Sequence, residues 1–179
     1  MTGRGDPAVL LDRDGTIIED VGYPRDPEDV RLIDGAADGL ARLRESGFRL
    51  VVASNQSGIG RGLITAAEAR AVHERVVAER ERHGVALDGA RSCPHAPDAG
   101  CECRKPKPGL LLAAADELGL DLGASFMLGD RLSDVEAGRR AGCRTVLLAT
   151  DPPAGAQADH VAARWFEALD FILRSGTPA

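Results

Sequence analysis

The chain has 179 residues, of which 44% are hydrophobic and 28% are charged, and its formal net charge is −6. This balance is typical of one globular domain with its own core, and it argues against nucleic-acid binding through a uniformly basic surface. With 3% aromatic residues, a base-stacking platform is not expected either. No apolar run reaches the roughly 20 residues of a membrane span, and residues 1–7 lack a secretory signal, so we expect a cytoplasmic protein with no membrane partner.

Short apolar segments alternate with helical patterns along the chain. Strands are predicted at residues 8–11, 48–53, 89–92, 125–128 and 145–149. Helices are predicted at residues 35–46, 65–83, 108–118, 133–142 and 165–174, with capping boxes at residues 65–68 and 133–136. This order predicts an α/β fold: a parallel sheet with helices on both faces, forming a single domain over residues 1–179. Flexible ends are expected at residues 1–7 and 175–179.

Polar side chains follow the predicted strands at the point where each strand ends. Asp12 and Asp14 come directly after the first strand, and two carboxylates this close favour a divalent cation or a shared proton. Residues 54–62 follow the second strand and are small, polar and rich in glycine, which suits them to present hydroxyl and N–H groups to a phosphate. Asp130 and Asp134 follow the fourth strand.

Three cations, Arg104, Lys105 and Lys107, stand ahead of the helix predicted from residue 108. Because ligands bind beyond the carboxyl ends of parallel strands, we expect a lysine, the carboxylates and the hydroxyl loop to meet at one edge of the sheet. Carboxylates alone indicate a metal site, but this combination indicates metal-assisted phosphoryl transfer. A carboxylate can itself act as the nucleophile.

A separate constellation consists of Cys93, His95, Cys101 and Cys103. Three thiolates and an imidazole form the closed, tetrahedral ligand set of a structural zinc site. A disulfide would leave one of the three cysteines unpaired. Cys143 lies in another segment and is expected in the core.

Four segments resemble, in order, the four motifs of the haloacid dehalogenase (HAD) superfamily of phosphatases. They are residues 12–16 (DRDGT), residues 54–55 (SN), Lys105 and residues 129–134 (GDRLSD). The resemblance implies a Rossmann-like HAD fold, and the spacing of the motifs leaves no segment for a large cap domain.

Further segments narrow the resemblance within this superfamily. Residues 22–24 (GYP), residues 93–95 (CPH) and residues 101–106 (CECRKP) are similar to those of the D-glycero-D-manno-heptose 1,7-bisphosphate 7-phosphatases. The histidinol-phosphate phosphatases are a sister group that shares the Cys/His loop. The resemblance places the zinc-bound loop at residues 93–103, next to Arg104 and Lys105.

The resemblance also implies a role for each motif residue. Asp12 becomes the nucleophile and a Mg²⁺ ligand, and Asp14 the general acid and base that also offers its backbone carbonyl to the metal. Asp130 is a further Mg²⁺ ligand, whereas Asp134 either supports these ligands or caps its helix. Ser54 and Lys105 are expected to contact the transferring phosphoryl group. Substrate-binding residues are expected to be Asn55, Gln56, Ser57, Arg104 and Arg131.

The sequence therefore predicts a monomeric, Mg²⁺-dependent and zinc-containing phosphomonoester hydrolase that acts on a small phosphorylated sugar through an aspartyl-phosphate. The expected substrate is the 7-phosphate of D-glycero-D-manno-heptose 1,7-bisphosphate, and histidinol phosphate is the alternative within the class. Two alternatives come from other classes: a catalytically silent zinc-loop interaction module, and a nucleic-acid end phosphatase acting with a repair partner.

Overall fold

The computed structural model describes residues 5–176, which form a six-stranded parallel sheet. The strands are β1 (Ala8–Leu11), β2 (Arg49–Asn55), β3 (Gly89–Cys93), β4 (Phe126–Gly129), β5 (Arg144–Leu148) and β6 (His160–Ala162). The helices are α1 (Ala36–Glu45), α2 (Ser57–Gly60), α3 (Ala66–Arg82), α4 (Gly109–Leu118), α5 (Leu132–Ala141) and α6 (Trp165–Gly176), with 3-10 turns at Pro27–Asp29 and Leu122–Ala124.

The order of the strands across the sheet is β3-β2-β1-β4-β5-β6, and every pairing is parallel. The chain moves outward in one direction from β1 to β3 and then restarts on the other side of β1 with β4. This reversal opens a crevice outside the carboxyl ends of β1 and β4, which is where open α/β sheets bind their ligands.

The strands are buried on both faces, as their continuous apolar sequences predict. One face packs against α1, α3 and α6 through a cluster that includes Leu11, Leu43, Val76 and Ile172. The other face packs against α4 and α5, with Leu10, Val51, Leu111 and Ala137 in contact. Helices on both faces confirm the predicted architecture, and the described residues contain no large cap domain.

The predicted elements are all present, with three local differences. The structure adds β6 and α2, which have three and four residues and are too short to show a period in the sequence. The capping box predicted at residues 133–136 is wrong, because α5 begins at Leu132 and the Asp134 carboxylate accepts the N–H of Arg131 at 3.0 Å. The capping box between Thr65 and Glu68 is present as predicted.

Side chains on α6 explain why it covers the sheet with one face only. Trp165 is buried, and its indole Nε1 donates to the carbonyl oxygen of Thr16 at 2.7 Å. Its neighbour Phe166 is 57% exposed, because it lies on the outer side of the helix beside Arg164. Cys143 is buried, as predicted.

Both ends of the described part of the chain form hydrogen bonds with the rest of the domain. The backbone of Asp6 bonds to Gly119 and Asp121, and the carbonyl of Ser175 accepts from Arg144. The rest of the predicted flexible ends, residues 1–4 and 177–179, lies outside the described residues. Among residues 5–176, no helix is both long and apolar enough to cross a membrane.

Candidate active site

The carboxylates of the site stand at the carboxyl ends of the two central strands. Asp12 follows β1, and Asp130 follows β4, the strand paired with β1. Gly15 lets the two segments approach closely: its φ is +84°, and a Cβ at this position would lie 2.3 Å from Oδ2 of Asp130. A side chain at residue 15 would therefore displace Asp130, which gives the DRDGT segment a physical reason for its glycine.

Lys105 lies buried between two of these carboxylates. Its Nζ is 2.8 Å from Oδ1 of Asp12 and 2.6 Å from Oδ1 of Asp134, and it donates to the carbonyl oxygen of Ala53 at 2.6 Å. Burial opposes the charge of Lys105, but the attraction of Asp134 and Asp12 outweighs it and raises the lysine pKa. Lys105 therefore carries its charge at neutral pH, directly beside Asp12.

Asp130 has the chemistry of a metal ligand. Its Oδ1 is buried and has no hydrogen-bond partner. Burial, together with repulsion from Asp12 and Asp134, raises the pKa of Asp130 to about 7. A buried carboxylate oxygen without a donor is costly unless a cation or a proton satisfies it.

The three carboxylates together fit Mg²⁺. Asp12, Asp130 and Asp134 each offer an oxygen within 4.8 Å of the others, and hard divalent cations take such oxygens. The carboxylate of Asp134 is already bonded on both sides, by Lys105 through Oδ1 and by the N–H of Arg131 through Oδ2. This leaves Asp12 and Asp130 as the two carboxylates best able to hold the ion, with Asp134 fixing Lys105.

Asp14 lies beside this group, held by two buried side chains. Arg13 donates to both of its carboxylate oxygens, from Nε at 3.1 Å and from Nη2 at 3.0 Å. The amide of Gln56 donates to Oδ2 of Asp14 at 2.8 Å and to the hydroxyl oxygen of Ser54 at 2.8 Å. Ser54 and Gln56, which the sequence placed against the substrate, thus lie behind Asp14 and do not line the cleft in front of it. The backbone N–H of Gln56 is bonded to the carbonyl of Cys93.

Asn55, another residue expected to bind substrate, holds the backbone of Lys105. Its Oδ1 accepts the N–H of Lys105 at 3.1 Å, and its Nδ2 donates to the carbonyl oxygen of the same residue at 3.0 Å. This pair of bonds joins the end of β2 to the segment that carries the buried lysine. Asn55 therefore positions Lys105, while its side chain also borders the cleft.

A cleft of about 410 Å³ opens in front of these residues. Its polar lining includes the kinds of side chain that the sequence predicted there: carboxylates, a lysine, hydroxyl groups and arginines. Arg104 lines the cleft with a buried Nη1 that has no partner. Arg131 also lines it, but its guanidinium is paired with Asp20 at 2.6 Å and lies 3.8 Å from Asp130. The other lining residues are Asp12, Asp14, Asp20, Gly22, Tyr23, Asn55, Ser57, Lys105, Pro106, Ser133 and Asp134.

The Cys/His cluster lies at the end of β3, as expected. Sγ of Cys93 is 3.5 Å from Nδ1 of His95 and 3.6 Å from Sγ of Cys101, and Sγ of Cys103 is 3.3 Å from the same His95 nitrogen. These separations exclude a disulfide and suit ligands arranged around one tetrahedral ion. Burial raises the pKa of the Cys93 thiol; at Cys101 burial is outweighed by the N–H of Arg104 and the neighbouring thiols, which lower the pKa.

Three residues with clear roles in this geometry were not singled out in the sequence. Arg13 holds Asp14, Asp20 pairs with Arg131, and Arg61 donates to the hydroxyl of Tyr23 at 2.6 Å. The position of Arg13 between the two aspartates was a signal, because a buried cation between buried acids needs a partner. The contacts of Asp20 and Arg61 join segments distant in sequence and have no local signature.

Comparison with known proteins agrees with this geometry. A family model described as HAD-hydrolase-like matches residues 102–172. The D-glycero-beta-D-manno-heptose-1,7-bisphosphate 7-phosphatases of Yersinia pestis and Escherichia coli K12 are each 42% identical to the chain, over 94% of it and over 90% and 89% of their own lengths.

Solved structures give the same result. The D,D-heptose 1,7-bisphosphate phosphatase of B. bronchiseptica, crystallised with magnesium and phosphate, superposes with a TM-score of 0.83 at 29% identity, covering 94% of this chain and 98% of that one. The corresponding enzyme from Burkholderia thailandensis has a TM-score of 0.69 at 29% identity, covering 93% and 98%. These relatives are hydrolases of phosphomonoesters, which favours the enzyme over the interaction module and the nucleic-acid phosphatase. The chain therefore belongs to the heptose 1,7-bisphosphate phosphatases of the HAD superfamily.

Proposed function

We propose that this enzyme removes the 7-phosphate of D-glycero-D-manno-heptose 1,7-bisphosphate through an aspartyl-phosphate on Asp12. The observation that carries the reaction type is the buried group at the β1/β4 crevice, where Asp12 faces Lys105 and Asp130 keeps an unpartnered oxygen. The names of the relatives that are 42% identical over nearly the whole chain support the substrate.

The first half of the reaction forms the aspartyl-phosphate. A carboxylate oxygen of Asp12 attacks phosphorus, and the bond between phosphorus and the sugar oxygen breaks. The carboxyl proton of Asp14 passes to that oxygen, which leaves as the sugar hydroxyl. Lys105 neutralises part of the charge on the phosphoryl oxygens from its fixed place beside Asp12.

The second half regenerates the enzyme. Water attacks phosphorus and gives a proton to the carboxylate of Asp14, while the bond between phosphorus and the Asp12 oxygen breaks to release inorganic phosphate. Mg²⁺, held by the carboxylates of Asp12 and Asp130 and by the backbone carbonyl of Asp14, supplies positive charge next to the phosphoryl group when it is bound. Asp14 thus ends the cycle protonated, as it began.

The free guanidinium of Arg104 provides a site for the phosphate that is not transferred. Its buried Nη1 has no partner within the described residues, whereas Arg131 is already paired with Asp20. Guanidinium groups bind phosphate through parallel N–H donors. We therefore assign the 1-phosphate to Arg104 and the neighbouring Ser57, both of which line the cleft.

Zinc at Cys93, His95, Cys101 and Cys103 completes the proposal. The four ligand atoms cluster in the described structure, and the loop that carries them leads directly into Arg104 and Lys105. Structural zinc closes such loops without taking part in chemistry. Its proposed work is to hold these two cations at the cleft.

The experiment is a panel of kcat/KM values measured with Mg²⁺. The substrates are both anomers of the heptose bisphosphate, histidinol phosphate and fructose 1,6-bisphosphate, and Asp12→Asn is the control variant. We expect one heptose anomer to be preferred by at least about tenfold, and Asp12→Asn to lower turnover by at least about 10³-fold. A preference for histidinol phosphate would contradict the proposed heptose substrate. An active Asp12→Asn variant would contradict the proposed aspartyl-phosphate mechanism.

A further inference from the structure

A second cavity, of about 420 Å³, lies between residues 66–73 of α3 and residues 90–92 of β3. It shares no lining residue with the active-site cleft. Asn55 lines the cleft, whereas its neighbours Ser54 and Gln56 line the cavity, because successive side chains at the end of β2 point to opposite sides of the strand. We refer to this space as the α3/β3 cavity.

The walls of the α3/β3 cavity are largely apolar. Side chains from both strands and from the helix contribute, among them Val52, Ala69 and Ala90. Its volume falls within the range of small-molecule sites, which combine apolar walls with a few polar groups that fix the orientation of the ligand. The cavity can therefore hold the carbon body of a small organic molecule, provided that its polar groups find partners there.

Arg13 brings an unused hydrogen-bond donor to this cavity. The side chain is 2% exposed, and its Nε and Nη2 are bonded to Asp14 and Gln56. Nη1 has no partner among residues 5–176. Because Arg13 lines the cavity, Nη1 is the donor that it has left for a ligand. A buried guanidinium nitrogen without an acceptor is costly, so a ligand that accepts from it gains affinity.

Two further side chains on α3 line the same cavity without a partner in the described part of the chain. Arg70 is exposed and His73 is half-buried, and neither forms a hydrogen bond or an ion pair through its side chain. Burial, together with the positive charges of Arg13 and Arg80, lowers the pKa of His73. The direction of this shift is that of a site with an excess of positive charge.

The charges around the cavity leave one cation unbalanced. None of the described residues that line it is acidic, although the chain as a whole has a net charge of −6. Arg13 is balanced by Asp14, and Arg91 is paired with Glu117. Arg70 has no counter-charge, so the cavity matches a ligand with a single negative charge.

We propose that the α3/β3 cavity is a second binding site, which takes a small organic carboxylate. The carboxylate accepts from Nη1 of Arg13 and from Arg70, and the carbon body packs against Val52 and Ala90. Guanidinium groups suit the planar, two-oxygen geometry of a carboxylate. The site is separate from the phosphatase chemistry and does not rest on the proposed function.

Benzoate and benzamide are a matched pair of probes, because they share a shape and differ in charge. Proton NMR at pH 7.5 follows the ring signals of His73, which are identified by their loss in His73→Asn. Benzoate should shift them saturably with a Kd of about 1–10 mM, while the ring signals of His83, outside the cavity, stay in place. Benzamide should bind at least about tenfold more weakly, because it lacks the charge.

Variants test whether the shift comes from this cavity. Ala90→Leu fills it without removing a donor and should abolish the shift, and Arg70→Met should weaken binding about two- to fivefold. Arg82→Met is the matched control, because Arg82 is an exposed arginine of α3 outside the cavity, and it should bind benzoate as the wild type does. If Ala90→Leu does not fold, Ser92→Leu, on the same strand and also exposed, takes its place.

The outcomes separate the α3/β3 cavity from the active site. Inorganic phosphate with Mg²⁺ should leave the benzoate shift unchanged, since the two spaces share no lining residue. Displacement of benzoate by phosphate, equal binding of benzamide, or an unchanged shift in the cavity-filling variant would each overturn the proposal. The NMR readout needs no turnover, so a failure of the proposed function would not alter it.

Discussion

At the scale of single residues, Lys105 balances the charge of the buried carboxylates Asp12 and Asp134 when no metal is bound. Its side chain is 1% exposed and pairs with carboxylates that are 9% and 2% exposed, so each of the three charges depends on the others. Removing one member of such a buried group leaves uncompensated charge, which costs about 3–5 kcal/mol. Lys105 is therefore a structural cation, in addition to the role toward the phosphoryl group that we propose for it.

Lys105→Met should lower the free energy of unfolding by about 3–5 kcal/mol in buffer without Mg²⁺, because Asp12 and Asp134 then repel each other without a counter-charge. Saturating Mg²⁺ should restore part of this loss and should stabilise the variant more than the wild type. Lys107→Met is the control, since Lys107 forms an exposed pair with Glu102 and should cost about 1 kcal/mol or less. Urea unfolding with and without Mg²⁺ measures both effects, and equal losses in the two variants would contradict the prediction.

The raised pKa of Asp130 leads us to expect that Mg²⁺ binding depends on pH. Its pKa is about 7 because burial and the charges of Asp12 and Asp134 favour the protonated form. Since the ion binds the carboxylate, it must displace a proton below pH 7, and its affinity should fall up to about tenfold per pH unit there. Above pH 7 this dependence should level off. Calorimetric titration at pH 6, 7 and 8 tests the sign, and an affinity that is constant across this range would refute it.

The proposed contact between Arg104 and the second phosphate can be tested by comparing substrates with and without that phosphate. A charge-assisted hydrogen bond contributes about 1.5–3 kcal/mol, so Arg104→Met should lower kcat/KM for the heptose bisphosphate by about 10- to 150-fold. The heptose 7-monophosphate should lose little, because it has no group for Arg104 to bind. Arg131→Met should show a smaller difference between the two substrates, since Arg131 is paired with Asp20. Equal losses on both substrates would show that Arg104 acts on the transferred phosphate or on the fold.

At the scale of elements, the loop of residues 93–103 connects β3 to the site. The carbonyl of Cys93 accepts the N–H of Gln56 at 2.8 Å, and the carbonyl of Pro94 accepts the N–H of Gly60 at 2.7 Å. A Cβ on Gly60 would lie 2.5 Å from the backbone nitrogen of Ala96, so the loop and α2 are packed backbone to backbone. A disturbance of the Cys/His cluster should therefore shift Gln56 and, through it, Asp14.

Cys101→Ser tests this coupling. Because the binding energy of structural zinc is folding energy, we expect less than one zinc per chain, a fall in Tm of at least about 10 °C and a parallel loss of turnover. Cys143→Ser is the control, because Cys143 is buried but does not belong to the Cys/His cluster. This variant should keep its zinc. Metal analysis, thermal melts and turnover are compared on the same preparations. A Cys101→Ser variant with a normal melt would argue against a structural role for zinc.

Elements also show how far the sequence could be interpreted. Buried strands and capped helices have local periods, so the five strands from β1 to β5 were predicted, and the rule for strand ends brought Asp12, Lys105 and Asp130 to one edge. β6 and α2 were missed because three and four residues are too few for a period to repeat in the sequence. The inward direction of Gln56 was missed because it depends on Arg13, whose orientation only the packed fold determines.

At the scale of the whole molecule, the net charge of −6 opposes the binding of long polyanions, whereas the cleft is lined by Arg104, Lys105 and Arg131, cations that can attract a small one. The charges of Arg104 and Lys105 act over the short distances inside the cleft, and Lys105 is largely balanced by its carboxylate partners. A phosphorylated sugar is small enough to interact mainly with the charged groups that line the cleft. An oligonucleotide would bring many further phosphates against an acidic surface, where repulsion extends over about 10 Å at 0.1 M salt.

This contrast predicts opposite responses to salt. The kcat/KM for a 3′-phosphorylated oligonucleotide should be at least about 10³-fold below that for the heptose bisphosphate. It should rise as NaCl increases from 20 to 200 mM, because the screening length then falls from roughly 22 to 7 Å and salt weakens the long-range repulsion. The value for the heptose bisphosphate should fall or stay constant, because its attraction to Arg104 is weakened by the same ions. Phosphate release from both substrates across this range is the measurement. If the rate with the oligonucleotide instead falls steeply with salt, the protein has a basic binding surface. That result would favour the nucleic-acid end phosphatase over the sugar phosphatase.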